Sequence, residues 1–248
     1  MAEPNRQSYG LGRTIDRAQT GVIDEGLRAY MLKVYNLMAL GVAVTAIVTL
    51  FTASNPALMS AIALGPMKWV LFAGVLGLGF FAPRAIFSGS MTMAHAAYWA
   101  YAVMWGLLIS PMIALYMHID GGKMVGQAFF ITAATFGAMS LYGYTTKKDL
   151  SGFGTFFFMA SIGLIIAIVV NAIFIQSGLM SLITSGIVVL VFSGVTAYET
   201  QMIKEMYASR DGQEGTSRKA IFGAFALYGS FVTLFIHILN ILGMMNRN

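Results

Sequence analysis

Apolar runs of about twenty residues alternate with short polar breaks along nearly the whole chain. A bilayer core about 30 Å thick needs roughly 20 apolar residues per crossing helix. Seven stretches meet that length, at 31–53, 67–87, 92–117, 125–144, 153–175, 180–199 and 220–242. The pattern predicts an all-α integral membrane protein, a seven-transmembrane helix bundle. Residues 28–248 form the transmembrane domain and 1–27 a polar cytoplasmic tail, helical from about Asp24. The tail lacks the apolar core of a signal peptide, so the first span carries the insertion signal. Ser110-Pro111 predicts a kink in the third span. Asp120, Gly121, Gly122 and Lys123 read as a turn.

The basic residues test this count. With the N-terminus inside and sides alternating, the inner segments hold twelve: Arg6, Arg13, Arg17, Arg28, Lys33, Arg84, Lys147, Lys148, Lys204, Arg210, Arg218 and Lys219. The outer segments hold three, Lys68, Lys123 and Arg247, which completes the 15 in the chain. Cytoplasmic loops carry the excess of Lys and Arg, so the bias favours seven spans with the N-terminus in and the C-terminus out. A six-span arrangement with one re-entrant segment is the alternative. Trp69 and Tyr30, Tyr35, Tyr142 and Tyr144 fall near span ends, as an aromatic belt would; Trp99 and Trp105 fit less well.

Composition narrows the classes. The 248 residues are 58% hydrophobic and 10% charged, with mean hydropathy +0.74; a soluble domain carries about 25% charged residues. Soluble enzymes and nucleic-acid modules are excluded, and the net charge of +5 is explained by the inner loops. There is no cysteine, hence no disulfide, thiolate metal site or Cys nucleophile. No lysine lies midway along the seventh span to form a retinal Schiff base. No Walker A or dinucleotide fingerprint occurs, and no His/carboxylate cluster has metal-ligand spacing. The chain reads as a non-enzyme without a resident cofactor. A channel or leak, an ion-coupled transporter and a non-catalytic membrane scaffold remain.

Ionisable and polar groups at membrane depth are expensive and point to function. Glu199 ends the sixth apolar run, and apolar residues continue past it, so it falls within the inner half of the bilayer. Burial there disfavours the ionised carboxylate; the competing reading is an interfacial residue beside water or Lys204. In the seventh span Ser230, Thr233, His237 and Asn240 recur at intervals of three, four and three, one helical face. This stripe should face protein or water rather than lipid. It either lines a path or only holds the bundle together by interhelical hydrogen bonds. Arg84 follows Pro83 at the inner end of the second span, on the same side as Glu199, where it either pairs with that acid or snorkels to phosphate. His95, His118 and Asp120 read as solvated, and Asn171 as a packing hydrogen-bonder. Gly74, Gly77 and Gly79, and Gly122 with Gly126, would let helices approach closely.

Four segments carry a resemblance: Ile23–Met31 before the first span, Phe130–Asp149 over the fourth and its loop, Ser193–Gln201 ending the sixth, and Gly223–Tyr228 opening the seventh. Together they resemble the bacterial branch of the Bax inhibitor family, the transmembrane Bax-inhibitor-motif proteins, over nearly the whole chain from about residue 22. The resemblance implies a bundle with the seventh helix wrapped by the other six, in the inner membrane, and a pH-modulated passive calcium leak. It also implies two aspartates that share a proton and plug the pore near the cytoplasmic side, with an arginine of the second span able to latch onto the sixth-span acid.

This chain departs at both acids. The first position is Glu199, and the second aligns with Ser230 in Leu227-Tyr-Gly-Ser-Phe231. Two close carboxylates cannot both ionise easily; with Ser230 that coupling is lost, which implies a leak less sensitive to pH near neutrality. Ser230 can instead donate a hydrogen bond to Glu199. Calcium prefers several hard oxygen ligands, so Glu199 with one hydroxyl makes a weak calcium site. The expected gate and ion pathway comprises Glu199, Ser230, Arg84, His237 and Thr233, with calcium or another cation as the transported ion. The rival reading is a non-transporting membrane interaction protein that modulates membrane proteases or stress responses, making contacts through its tail and the 200–219 loop. A third is a proton-coupled carrier using Glu199 and His237. Partners are the lipid bilayer and a cation, with no nucleic acid.

Overall fold

The computed structural model describes residues 9–246. Every regular element in it is helical: α1 (Tyr9–Ala53), α2 (Pro56–Ala63), α3 (Met67–Ser88), α4 (Met91–Asp120), α5 (Lys123–Thr145), α6 (Gly154–Val170), α7 (Gly178–Met206) and α8 (Gln213–Met245). A 3₁₀ turn, Ser151–Phe153, leads into α6, and a π turn, Asn171–Ile175, ends it. Among the described residues seven segments are long and apolar enough to cross a membrane: Glu25–Ala53, Met67–Ser88, Met91–Asp120, Lys123–Thr145, Ser151–Ile175, Gly178–Met206 and Gln213–Met245. These are the seven expected spans, each extended by a few residues into the polar flanks.

Helix α1 begins at Tyr9, well before the expected start near Asp24; residues 9–24 contain no proline to interrupt it. Residues 1–8 of the expected tail lie outside the described residues. The 200–219 segment is not a loop. Helix α7 runs to Met206 and α8 starts at Gln213, which leaves six residues between them. That link is pinned by Lys219, whose Nζ donates to Met206 O at 2.7 Å and pairs with Asp211.

The local chemistry explains the breaks. Asn55 Oδ1 caps α2 by accepting from Ala57 N and Leu58 N. The Asp120 turn forms as read: Gly121 and Gly122 have φ of 68° and 88°, a region open to glycine. Asp120 then accepts from Gly122 N and Met124 N across the turn. Pro111 sits inside the unbroken α4. Its missing N–H deprives the Leu107 carbonyl of a donor, and Ser110 Oγ supplies one at 2.7 Å. Thus Ser110-Pro111 is a self-compensating pair within a continuous helix.

Helix α8 is the most enclosed span. In its most apolar stretch 67% of residues are buried, against 6% to 33% for the other six. It packs on α1, α3, α4, α5 and α7. Leu227, Tyr228, Leu234 and Leu239 of α8 are fully buried, together with Tyr98, Ile86 and Ile203 around them. The span containing α6 is the 6% case, and Phe156, Phe158, Met159 and Ile166 point outward, as on a helix that meets lipid.

The core corrects two readings. Tyr30 is buried and stacks on Tyr207 at 5.5 Å, and the Tyr35 hydroxyl bonds Ser140 at 2.5 Å. Trp99 packs on Tyr98 at 4.9 Å and Trp105 on Tyr101 at 6.2 Å. All four pack in or against the buried core, the two tryptophans through rings of their own helix α4. Close approach also uses other glycines than Gly77, Gly79 and Gly126, around which there is open space. At Gly143 of α5 an added Cβ would overlap the Ala197 carbonyl of α7, so glycine there sets the α5–α7 spacing.

Candidate functional site

The segment Tyr198-Glu-Thr-Gln201 lies on α7, where successive residues turn by about 100°. Each of the four therefore meets a different neighbour. Tyr198 faces α6, its ring 6.0 Å from that of Phe157. Glu199 faces α8. Thr200 faces α5, its hydroxyl 3.0 Å from Ser140 Oγ, which in turn bonds Tyr35 of α1. Gln201 clamps the α5–α6 link, accepting from Leu150 N at 2.7 Å and donating to Lys148 O at 2.9 Å. Three contacts thus fix the rotation of α7 and aim Glu199 at α8. In the same link Asp149 accepts from Ser151, and those hydrogen bonds hold its carboxyl below the usual carboxylate range.

Ser230 Oγ donates to Glu199 Oε2 at 2.7 Å. Ser230 is 2% exposed, and Glu199 is half-buried. Only one carboxylate oxygen is engaged by protein; no hydrogen bond to Oε1 is found among the described residues. The Tyr101 ring of α4 lies 4.5 Å from Phe225 and 5.7 Å from Tyr228 of α8 by ring centroids. Tyr228 is fixed from α1: its hydroxyl meets Thr45 Oγ1 at 2.6 Å, and Thr45 also lies within hydrogen-bond distance of the Gly41 and Ala102 carbonyls. Among the described residues no group of three or more His, Asp or Glu could hold a metal ion. The pair itself offers one carboxylate and one hydroxyl.

The rest of the stripe on α8 meets α7 further along. His237 Nδ1 is 3.0 Å from Ser185 Oγ. Asn240 Nδ2 donates to Ser181 Oγ at 2.9 Å and to Ser185 Oγ at 2.8 Å. Thr233, half-buried, lies between the two clusters and makes no side-chain hydrogen bond among the described residues. The stripe therefore faces protein, and in this arrangement His237 and Asn240 are interhelical hydrogen-bonders.

An Arg84–Glu199 ion pair is not formed. Arg84 is exposed, and the two ion pairs among the described residues are Arg218–Glu214 and Lys219–Asp211. The cause is the packing order: α3 lies on α2, α4 and α8, whereas α7 lies on α5, α6 and α8. At the end of α3 the inward arginine is Arg218 of α8, whose Nη1 donates to Ile86 O at 2.7 Å. Asn171 is a hydrogen-bonder, as read, but within the α6–α7 turn. It clasps the α6–α7 turn through Ser177, with Nδ2 donating to Ser177 O and Oδ1 accepting from Ser177 N. Lys204, a reading partner for Glu199, donates instead to Tyr144 O at 2.7 Å.

Sequence reasoning missed Ser181, Ser185, Thr45, Tyr228 and Arg218. Ser181 and Ser185 had a signal, since a four-residue spacing puts two hydroxyls on one face of α7. Thr45 and Tyr228 had none that separates them from ordinary core.

Comparison with known proteins agrees with this architecture. Residues 27–247 match the Bax1-I family model, described as "Inhibitor of apoptosis-promoting Bax1". The chain is 37% identical to the uncharacterized protein RP147 of Rickettsia prowazekii over 220 residues, 89% of this chain and 91% of that one. It is 36% identical to the inner membrane protein YbhL of Escherichia coli K12 over 221 residues, 88% and 92% of the two chains. A Streptococcus pyogenes membrane protein is 35% identical over 222 residues, 89% and 94%. With seven membrane-spanning helices and a family model matched over almost its full length, the chain is a multi-pass membrane protein that belongs to the Bax1-I family.

Proposed function

We propose that this protein is a passive cation leak of the inner membrane, with calcium the favoured ion, modulated by protons at Glu199. The observation that carries the reading is the interior Glu199–Ser230 pair, with one carboxylate oxygen left for water or an ion. A single acid at membrane depth is retained at a cost that function offsets. The enclosure of α8 by α1, α3, α4, α5 and α7 supports a central seventh span, so that a path would run along the α7–α8 seam. The basic-residue bias supports the N-terminus inside, which puts Glu199 near the cytoplasmic end of that seam. The relative named as an inner membrane protein supports the location.

In this reading an ion meets Glu199 Oε1 with Ser230 steadying the other oxygen. One carboxylate and one hydroxyl bind calcium weakly, which suits passage rather than storage. Protonation of Glu199 removes the single negative charge on the path. Thr233 continues the polar face of α8 from Ser230. Calcium flux into liposomes carrying the purified protein tests the reading, with Glu199→Gln beside the wild type. Flux is expected from the wild type, with a pH dependence that Glu199→Gln removes. Absence of flux from reconstituted wild type overturns it in favour of a membrane interaction protein.

A further inference from the structure

At the far end of α7 from Glu199, the α6–α7 turn, α7 and α8 line an open cavity of about 490 Å³. Small-molecule sites span roughly 300 to 1,000 Å³ and are mostly apolar with a few convergent polar groups. This one has that make-up. Met112, Ile168 and Ile236 supply apolar wall, and Thr184, His237 and Asn240 supply polar atoms from two helices.

The polar atoms are held but not saturated. Asn240 spends its amide hydrogens on Ser181 and Ser185, and His237 Nδ1 is engaged by Ser185. Asn240 Oδ1, His237 Nε2 and Thr184 Oγ1 have no hydrogen-bond partner among the described residues, and all three residues line the cavity. Asn240 and His237 are held in orientation by their bonds to Ser181 and Ser185. Asn240 Oδ1 accepts, the Thr184 hydroxyl donates or accepts, and His237 Nε2 takes either role according to its tautomer.

The charge of the lining selects the ligand. No Asp, Glu, Lys or Arg lines the cavity. An anion would find no cationic partner, and a cation no carboxylate. Moving either from water into a largely apolar pocket without a counter-charge is unfavourable. An uncharged group with both a donor and an acceptor would satisfy the three open atoms. We infer that this cavity is a binding site for a small uncharged solute of primary-amide type, held by Asn240, Thr184 and His237. The site is separate from the Glu199 gate, and its test reads binding without flux, so it stands or falls apart from the leak.

The probes are three compounds of one shape: benzamide (neutral), benzoate (anionic) and benzamidinium (cationic). Binding is measured by ligand-detected NMR on the full chain in lipid nanodiscs, at one pH near neutrality, with empty nanodiscs subtracted. Benzamide should bind saturably, and each charged analogue about tenfold or more weakly. Asn240→Leu should weaken benzamide by about tenfold. The near-isosteric Thr184→Val should weaken it several-fold while leaving the fold intact. Equal or tighter binding of benzamidinium would make the cavity part of a cation path and overturn the proposal. So would benzamide binding that neither substitution alters, or no saturable binding above empty nanodiscs, the result of a cavity filled by a lipid chain.

Discussion

The Ser230 hydroxyl of α8 donates to the Glu199 carboxylate of α7 at 2.7 Å. The distance has a consequence at each end. Glu199 is aimed by Thr200 and Gln201, which tie α7 to α5 and to the α5–α6 link. Ser230 is on the helix with the most buried residues. The two helices cannot rotate apart without breaking contacts elsewhere, so substitutions at the pair report on the pair.

Ser230→Asp places a second carboxyl within hydrogen-bond reach of the first. Two carboxyl groups at that separation share a proton rather than both ionising. Calcium flux in proteoliposomes between about pH 6 and 8 should become steeper with pH than in the wild type. An unchanged profile would show that carboxyl coupling at this position does not control the path.

Ser230→Ala removes the donor and keeps the acid. A charged group that loses its hydrogen bond in the interior costs about 1–3 kcal/mol. Thermal unfolding in detergent should therefore start at a lower temperature than in the wild type. Ser230→Thr, which keeps a hydroxyl, should recover most of the loss. Equal stability of all three would mean that water replaces the serine without cost.

Gly143 and Gly77 form a paired test of helix spacing. At Gly143 a methyl group would overlap the Ala197 carbonyl, and at Gly77 nothing lies within 4 Å. Gly143→Ala should push α5 off α7, weaken the Ser140–Thr200 contact and destabilise by about 1–3 kcal/mol. Gly77→Ala should be neutral or stabilise by up to about 1 kcal/mol through helix propensity. Unfolding in a common detergent compares them directly, and an ordering opposite to this would refute the packing described.

Gln176 holds φ of 50° between α6 and α7, a region in which a side chain is strained by about 1–2 kcal/mol. Gln176→Gly relieves that strain at some cost in unfolded-state entropy. A net gain of up to about 1 kcal/mol is expected, seen as a higher midpoint of thermal unfolding. A lower midpoint would show that the Gln176 side chain makes contacts worth more than the backbone strain.

How much of this was legible beforehand follows from what hydropathy encodes. Apolar run length told bilayer from water, so the seven spans and the Asp120 turn were readable to within a few residues. The Glu199–Ser230 contact was readable through the family resemblance at Tyr198–Gln201 and Leu227–Phe231. Which side of an apolar helix turns inward was not. On α4 all faces are apolar, and nothing separates the buried Tyr98 from an interfacial tyrosine until α1 and α8 are packed around it. The same gap hid Gly143 among the other glycines and Arg218 among the other inner-side cations, and left open whether Arg84 pairs with Glu199 or meets phosphate. A charge reports which side of the membrane it is on; its partner depends on the order in which helices pack.

Arg84 provides the sharpest check of that packing order. It is exposed at the end of α3, and α3 packs on α2, α4 and α8 while Glu199 sits on α7. In this arrangement its guanidinium is free to meet water or lipid phosphate. Arg84→Gln should therefore leave calcium flux and its pH profile close to those of the wild type, and should lower stability by less than about 1 kcal/mol. Arg218→Gln, by contrast, removes the donor to the Ile86 carbonyl and should loosen the α3–α8 contact, with a loss of about 1–3 kcal/mol. A large rise in flux from Arg84→Gln would require a second conformation in which α3 has moved against α7 and Arg84 has taken Glu199 from Ser230. The double variant Arg84→Glu with Glu199→Arg would then restore part of the wild-type flux, whereas independent sites would give additive changes.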